Sequence, residues 1–136
     1  MIRTILATVM GVLLSVVLVM LGEMASNSFG VGAQPADMSD RAALAAYVAR
    51  QPMWLMALMC VIWGVAVGVG AFVAARFARR GPWPGWIVTI LFLVATVANF
   101  TMIPHPLWMF GLAIAAIVIG GGFGTRWALG GSLKTA

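Results

Sequence analysis

Residues 86–125 read WIVTILFLVATVANFTMIPHPLWMFGLAIAAIVIGGGFGT. Two apolar runs, 86–103 and 107–125, flank the tripeptide Pro104-His105-Pro106. Each run is long enough for a helix to cross the hydrocarbon core of a bilayer. Proline interrupts the helical hydrogen-bond ladder between them. The stretch therefore predicts two antiparallel membrane-spanning helices joined by a very short turn.

Two further apolar runs precede this hairpin, at about 4–24 and 54–77. The first begins beside Arg3 and shares that feature with secretory signal peptides. It is long enough to span, however, and Glu23-Met24-Ala25 makes a poor cleavage site, so we expect a retained helix. All six prolines fall between the four predicted spans, which supports the boundaries independently of hydropathy: Pro35, Pro52, Pro82, Pro84, Pro104 and Pro106.

The composition agrees with a membrane protein. Of the 136 residues, 63% are hydrophobic and only 8% are charged, so a soluble domain of this size could not cover its surface with polar groups. The sequence therefore predicts one all-α domain, an integral membrane four-helix bundle whose first partner is the lipid bilayer. The net charge of +5 does not indicate a nucleic-acid partner, because the basic residues stand beside apolar runs, where they orient helices.

The basic residues also predict the orientation of the chain. With an inner N-terminus, six lie on the inner side and two, Arg41 and Arg50, on the outer side. The inner six are Arg3, Arg76, Arg79, Arg80, Arg126 and Lys134. Because cytoplasmic loops carry the excess of Lys and Arg, we expect both ends of the chain in the cytoplasm.

The polar outer segment 25–52 contains one short predicted helix, at about 40–50. Asp37 or Ser39 could cap its start, and Pro52 ends it. Its apolar residues Leu44, Tyr47 and Val48 share one face. We expect this helix to lie along the membrane surface or to fold over the bundle.

Small residues at four-residue spacing mark three of the spans. Such faces let helices approach closely in lipid, where apolar contact alone does not drive association. They predict packing within the bundle or against another subunit, either a second copy or a different membrane protein. The leading functional hypothesis is accordingly a non-enzymatic structural, accessory or self-associating protein. The helix-packing residues are Gly11, Ser15, Gly64, Gly68, Ala71, Ala116, Gly120 and Gly124.

Four polar residues fall near the outer ends of the spans: Glu23, Asn99, Thr101 and His105. Each has a structural interpretation, such as a hydrogen bond between helices or a rigid turn. Ionisable groups within a membrane are also often functional. The alternative hypothesis is therefore a small transporter or channel with a polar outer vestibule formed by Glu23, Asn99 and His105.

Little else in the chain can do chemistry. The single cysteine, Cys60, excludes a cysteine pair within one chain, and the single histidine excludes a haem held by two histidines of one chain. One histidine and one glutamate supply too few good ligands for a zinc site. We expect no cofactor, no metal and no catalytic residues, and an enzyme is the least favoured function.

Several stretches resemble a group of small uncharacterised bacterial four-span inner-membrane proteins. They are residues 1–7 (MIRTILA), Leu21-Gly22-Glu23, the Ser-Asp to Ala-Ala-Tyr helix of the outer segment, and residues 99–108 (NFTMIPHPLW). The Met-Ile-Pro-His-Pro-x-Trp turn is the most specific part. The resemblance implies the same topology and a bacterial inner membrane, and no activity. A second histidine often follows the glutamate in that group, whereas Ala25-Ser26-Asn27 stands here, which argues against a metal site.

Overall fold

Residues 1–130 are described by a computed structural model, so Lys134 lies outside the described residues. They form five α-helices: α1 (Ile2–Asn27), α2 (Arg41–Arg50), α3 (Met53–Ala78), α4 (Trp83–Met102) and α5 (Leu107–Gly130). All except α2 are long and apolar enough to cross a membrane, and they pack into a bundle. The prediction of an all-α, multi-pass four-helix bundle is confirmed.

Helix α4 begins earlier than the sequence predicted, at Trp83 rather than Trp86. Pro82 stands just before the helix and Pro84 lies in its first turn. Proline is tolerated there because the first backbone N–H groups of a helix have no intrahelical partner. The turn between α3 and α4 is therefore short, and Arg79 and Gly81 form it with positive φ angles of 53° and 71°.

The course of the chain distinguishes the two ends of the bundle. The outer end is where α1 ends and α3 and α5 begin, and the inner end is where α3 and α5 end. Helices α3 and α5 therefore run parallel to each other, whereas α1 and α4 run in the opposite direction.

Helix α3 is central, and its closest neighbour is α5. A Cβ added at Gly64 would lie 2.6 Å from the Ala116 carbonyl oxygen, and one at Gly68 would lie 2.9 Å from that of Gly120. Gly124 in turn faces the backbone of Gly68. This contact, the α3–α5 seam, uses five of the predicted packing residues within one chain. Only residues without bulky side chains allow two backbones to approach so closely.

Helix α1 packs on α3 through a second set of small residues. A Cβ added at Gly11 would lie 2.9 Å from the Ala74 Cβ and would also meet the Gly70 backbone. The buried Ser15 hydroxyl lies 3.0 Å from both the Gly11 and Ala66 carbonyl oxygens, to which it can donate. The hydroxyl thus links the two helices while its polarity is satisfied.

Helix α4 also carries a small-residue face, which the sequence analysis did not identify. Thr89 donates to the Gly85 carbonyl at 3.0 Å and is fully buried. Gly85 lies against Thr125 and the backbone of Ala71, and Gly121 lies against Thr89. The Thr89 hydroxyl is satisfied within its own helix, whereas the buried Thr125 hydroxyl has no hydrogen-bond partner among the described residues.

The arginines at the start of α1 and at the ends of α3 and α5 lie at the inner end of the bundle. Arg3 donates from Nε to the Phe77 carbonyl at 2.9 Å, which joins the start of α1 to the end of α3. The side chains of Arg76, Arg80 and Arg126 are exposed at the same end. The structure therefore places the predicted inner arginines together, while Arg41 and Arg50 lie on α2 at the outer end.

Helix α2 folds over the outer end of the bundle. Its cap is Asp40, which accepts from the backbone N–H groups of Ala42 and Ala43 at 2.9 and 3.0 Å, so the predicted cap at Asp37 or Ser39 is wrong. Leu44 and Val48 are buried on the side of the helix that faces the bundle.

Asp37 instead stabilises the turn before α2. It accepts from the Ser39 backbone N–H at 2.8 Å and from the Ser39 hydroxyl at 2.6 Å. Both hydrogen bonds favour the ionised carboxylate and hold the pKa of Asp37 below its usual value. The bond from the Ser39 hydroxyl has the larger effect, and the bond from the backbone N–H the smaller.

Candidate functional site

A cavity of about 280 Å³ lies at the outer end of the bundle, beneath α2 and the segment before it. Glu23 of α1, Asn99 of α4 and His105 of the α4–α5 turn all line it. We call this space the outer cavity. Three of the four polar residues selected from the sequence therefore surround one space, although they come from three different parts of the chain.

The Gln51 side chain connects the two segments that cover the outer cavity, which together we call its roof. Its amide nitrogen donates to the carbonyl oxygens of Val31 and Tyr47 at 3.0 and 3.3 Å, and its amide oxygen accepts from the Val31 N–H at 3.1 Å. The amide thereby ties the extended segment after α1 to the end of α2. The roof residues that line the cavity are Gln34, Pro35, Met38, Leu44, Tyr47 and Val48.

Glu23 stands at the boundary between the cavity and the bundle. Its Oε1 accepts a hydrogen bond from Nε1 of Trp63 at 3.3 Å. Trp63 is only 8% exposed and Glu23 is half-buried. Within residues 1–130 this neutral indole is the one group that donates a hydrogen bond to the carboxylate. The remaining lone pairs of the carboxylate can therefore accept hydrogen bonds from a solute in the cavity.

A smaller and more open space adjoins Glu23, and we call it the deep pocket because its lining residues lie further from the outer end. It has a volume of about 150 Å³ and shares Glu23, Trp63 and Asn99 with the outer cavity. Its other lining residues are Val19, Phe92, Ala95, Thr96 and Ile117. The carboxylate, the indole and the amide therefore stand between the two spaces.

On the inner side of the deep pocket the bundle is closed. Ile117, which lines the pocket, and Val67 and Val88, which lie further inward, are each 0% exposed. Interiors packed in this way leave no room for water or an ion. In this conformation, solute in the outer cavity has access only to the outer side of the bundle.

His105 is fixed in one orientation. Its Nδ1 lies 2.9 Å from the Ile103 carbonyl oxygen, and its ring packs on Phe100 with the centroids 4.6 Å apart. Because a carbonyl oxygen only accepts, the proton of this bond is on Nδ1. The neutral ring then carries its lone pair on Nε2, where it can accept a proton or bind a cation.

Thr101 is separate from the other three predicted residues. It is exposed, its hydroxyl donates to the Ala98 carbonyl at 2.6 Å, and it is not among the residues that line the cavity. Its backbone carbonyl instead accepts from the Arg41 guanidinium at 3.4 Å. Two residues along a helix correspond to a rotation of roughly 200°, which takes Thr101 to the opposite side of α4 from Asn99.

Sequence reasoning did not select the residues that α3 and α5 contribute. Met56, Met59 and Trp63 of α3 line the outer cavity, as does Met109 of α5. The first three stand at i, i+3 and i+7, a spacing that places them on one face of a helix. That spacing was visible in the sequence, but only the fold shows that this face meets Glu23 and His105.

Within residues 1–130, no three side chains of His, Cys, Asp or Glu stand close enough together to hold a metal ion. The polar groups of the outer cavity can therefore accept hydrogen bonds or hold a cation weakly, but they do not form a site for zinc. The chain matches none of the protein-family models, curated proteins or solved structures with which it was compared.

Proposed function

We propose that this chain is a transporter of a small cation, which enters through the outer cavity. The observation that carries the proposal is the convergence of Glu23, Asn99 and His105 on one cavity, which shares Glu23 and Asn99 with the deep pocket. We place it in a bacterial inner membrane with both ends in the cytoplasm. Its partners are then the lipid bilayer and the solute, with no role for nucleic acid.

The chemistry of the cavity favours a cation over an anion. The carboxylate of Glu23, the amide oxygen of Asn99 and Nε2 of His105 can each offer a lone pair. The chain's three acidic residues are in the outer half, whereas Arg3, Arg76 and the other inner arginines lie at the far end. Arg41 and Arg50 also lie at the outer end, so three acids and two arginines leave it with a formal charge of −1. The outer opening is therefore more favourable to cations than the arginine-rich inner end.

The closed core favours a transporter over an open channel. An ion in the deep pocket must pass the packed side chains of Ile117, Val67 and Val88 to reach the inner end. Passage then requires the helices to rearrange, as in alternating access. Small residues at the helix contacts permit such movement, because they leave few interlocking side chains.

The proposal is tested by recording currents from proteoliposomes on a solid-supported membrane after concentration jumps of Na⁺, K⁺ and Ag⁺. We expect a transient or steady current for at least one ion, with Glu23→Gln and His105→Ala each reducing it about tenfold or more. Thr101→Ala is the matched control, since Thr101 lies outside the cavity, and it should keep the wild-type current. Absence of current for all three ions, or equal currents in all four proteins, would contradict the proposal.

The second candidate function is the self-associating or accessory protein that the small-residue faces first suggested. In the α3–α5 seam the two helices already contact each other within one chain. The lipid-facing side of the seam is an open groove of about 640 Å³, and glycines of both helices line its base. The groove walls are apolar residues such as Val61, Val65, Ile119 and Phe123. A helix of a second copy could approach the glycine backbone there.

This candidate is tested by native mass spectrometry of the protein released from detergent. A dimer that Val65→Trp converts to monomer would support association through the groove, since the larger side chain would fill it. Val94→Trp, on the exposed side of α4, is the matched control and should leave the dimer intact. A wild-type protein that remains monomeric at all concentrations tested would exclude self-association.

A further inference from the structure

We infer that the cation taken up by the outer cavity is a soft monovalent metal ion, Cu(I), held by methionine thioethers and by Nε2 of His105. The inference rests on the proposed function of that cavity and names its substrate class. It depends on two independent observations, the set of sulfur side chains around the cavity and the orientation of the imidazole ring.

Four methionines line the outer cavity. Met38 comes from the roof, Met56 and Met59 from α3, and Met109 from α5. Met56 and Met59 pack against the buried cluster that contains Met109, which is 3% exposed, so these three side chains belong to one region of the bundle. Thioethers are soft, neutral donors that select Cu(I) over hard cations.

The histidine supplies the second observation. A metal-binding imidazole nearly always donates its other ring N–H to a backbone carbonyl, a carboxylate or a water, which fixes the tautomer and the direction of the ligating nitrogen. His105 has this arrangement, since Nδ1 donates to the Ile103 carbonyl and the Phe100 ring holds the imidazole plane. Nε2 is therefore ready to bind a metal ion without a prior change of tautomer.

The same donor set argues against the commoner metals. Zinc requires about four nitrogen, thiolate or carboxylate ligands, and calcium or magnesium requires six or more oxygen ligands. Within the described part of the chain, no group of three such His, Cys, Asp or Glu side chains exists. Neutral thioethers and one neutral imidazole suit an ion of single positive charge, and Glu23 lies at the inner boundary of the cavity to balance that charge.

Methionine also fills irregular apolar gaps without binding anything. The two roles differ in a measurable way, because leucine replaces methionine as a filler at little cost but cannot coordinate a metal. Substitution of Met by Leu therefore removes the sulfur and keeps the volume.

The test is equilibrium binding of Ag⁺, a redox-inert probe for Cu(I), to the full-length protein in detergent, with bound silver counted by mass spectrometry. Anaerobic competition with a chromogenic Cu(I) chelator gives the affinity for copper itself. We expect one ion per chain, with affinity reduced about tenfold or more in Met56→Leu/Met59→Leu and in His105→Ala.

The matched control is Met20→Leu/Met53→Leu, because both side chains are exposed on the bundle surface, at 58% and 69%. Circular dichroism and gel filtration establish that each variant folds.

The outcomes separate this inference from the proposed function. No binding of Ag⁺ to the wild-type protein, or equal binding by both double variants, overturns the Cu(I) site. If Na⁺ or K⁺ currents that depend on Glu23 persist in that case, the transporter proposal stands with a different ion. If Ag⁺ binds through the methionines and His105 but no ion gives a current, the site stands and transport is refuted.

Discussion

Replacing Gly64 by alanine places a methyl group at the α3–α5 seam, 2.6 Å from the Ala116 carbonyl oxygen and 2.9 Å from its carbon. Ordinary contacts begin near 3.4 Å, so the two backbones must separate by about 0.8 Å, the difference from the shorter distance. Neither atom is the end of a flexible side chain, so the strain cannot be relieved locally. Overpacking of this kind costs about 1–3 kcal/mol.

A matched substitution isolates that cost. Gly111→Ala adds the same methyl group to α5 where nothing lies within 4 Å. Both substitutions gain the same intrinsic helix preference, about 1 kcal/mol, so the difference between the two variants reports the packing cost alone. We expect Gly64→Ala to be about 1–3 kcal/mol less stable than Gly111→Ala.

The measurement is reversible unfolding by sodium dodecyl sulfate in mixed micelles, followed by circular dichroism. Free energies of unfolding at zero denaturant are compared for the wild-type protein and both variants. If Gly64→Ala proves as stable as Gly111→Ala, the close approach of α3 and α5 at Gly64 is refuted. The same experiment at Gly68, whose added Cβ would lie 2.9 Å from the Gly120 carbonyl oxygen, should give a smaller cost of the same sign.

Three further predictions concern hydrogen bonds. In a double-mutant cycle, Trp63→Phe and Glu23→Leu should show a coupling free energy of about 0.5–1.5 kcal/mol, measured by the same unfolding assay. Ser15→Ala should lower the free energy of unfolding by about 1 kcal/mol, because it removes the hydroxyl that links α1 to α3. Ser39→Ala should raise the pKa of Asp37 towards its ordinary value, as measured by carbon NMR of the side-chain carboxyl. Since the folded pKa lies below the unfolded one, the stabilisation from this turn is present above the ordinary Asp range and is lost as pH falls through the lowered value.

Much of the site could be anticipated from single residues. Glu23, Asn99 and His105 were selected because polar groups are costly within a membrane, and they surround one cavity. Thr101 met the same criterion but lies outside that cavity. Trp63 and the cavity methionines carry no such signal, because tryptophan and methionine are ordinary residues in apolar helices. Their role depends on which helices are neighbours.

The sequence by itself determined the number of spans and their approximate ends. Long apolar runs can be solvated by hydrocarbon, and the prolines between them cannot continue a helix, so both conclusions follow from local chemistry. Only the tertiary structure decided that α3 is central, that α3 and α5 pack in parallel through Gly64, Gly68 and Gly120, and that α2 covers the outer cavity. The physical reason is that the lipid-facing and the buried sides of a membrane helix are both apolar. Hydrophobic periodicity therefore does not show which side meets which neighbour, and the choice is made by contacts between small residues that are far apart in the chain.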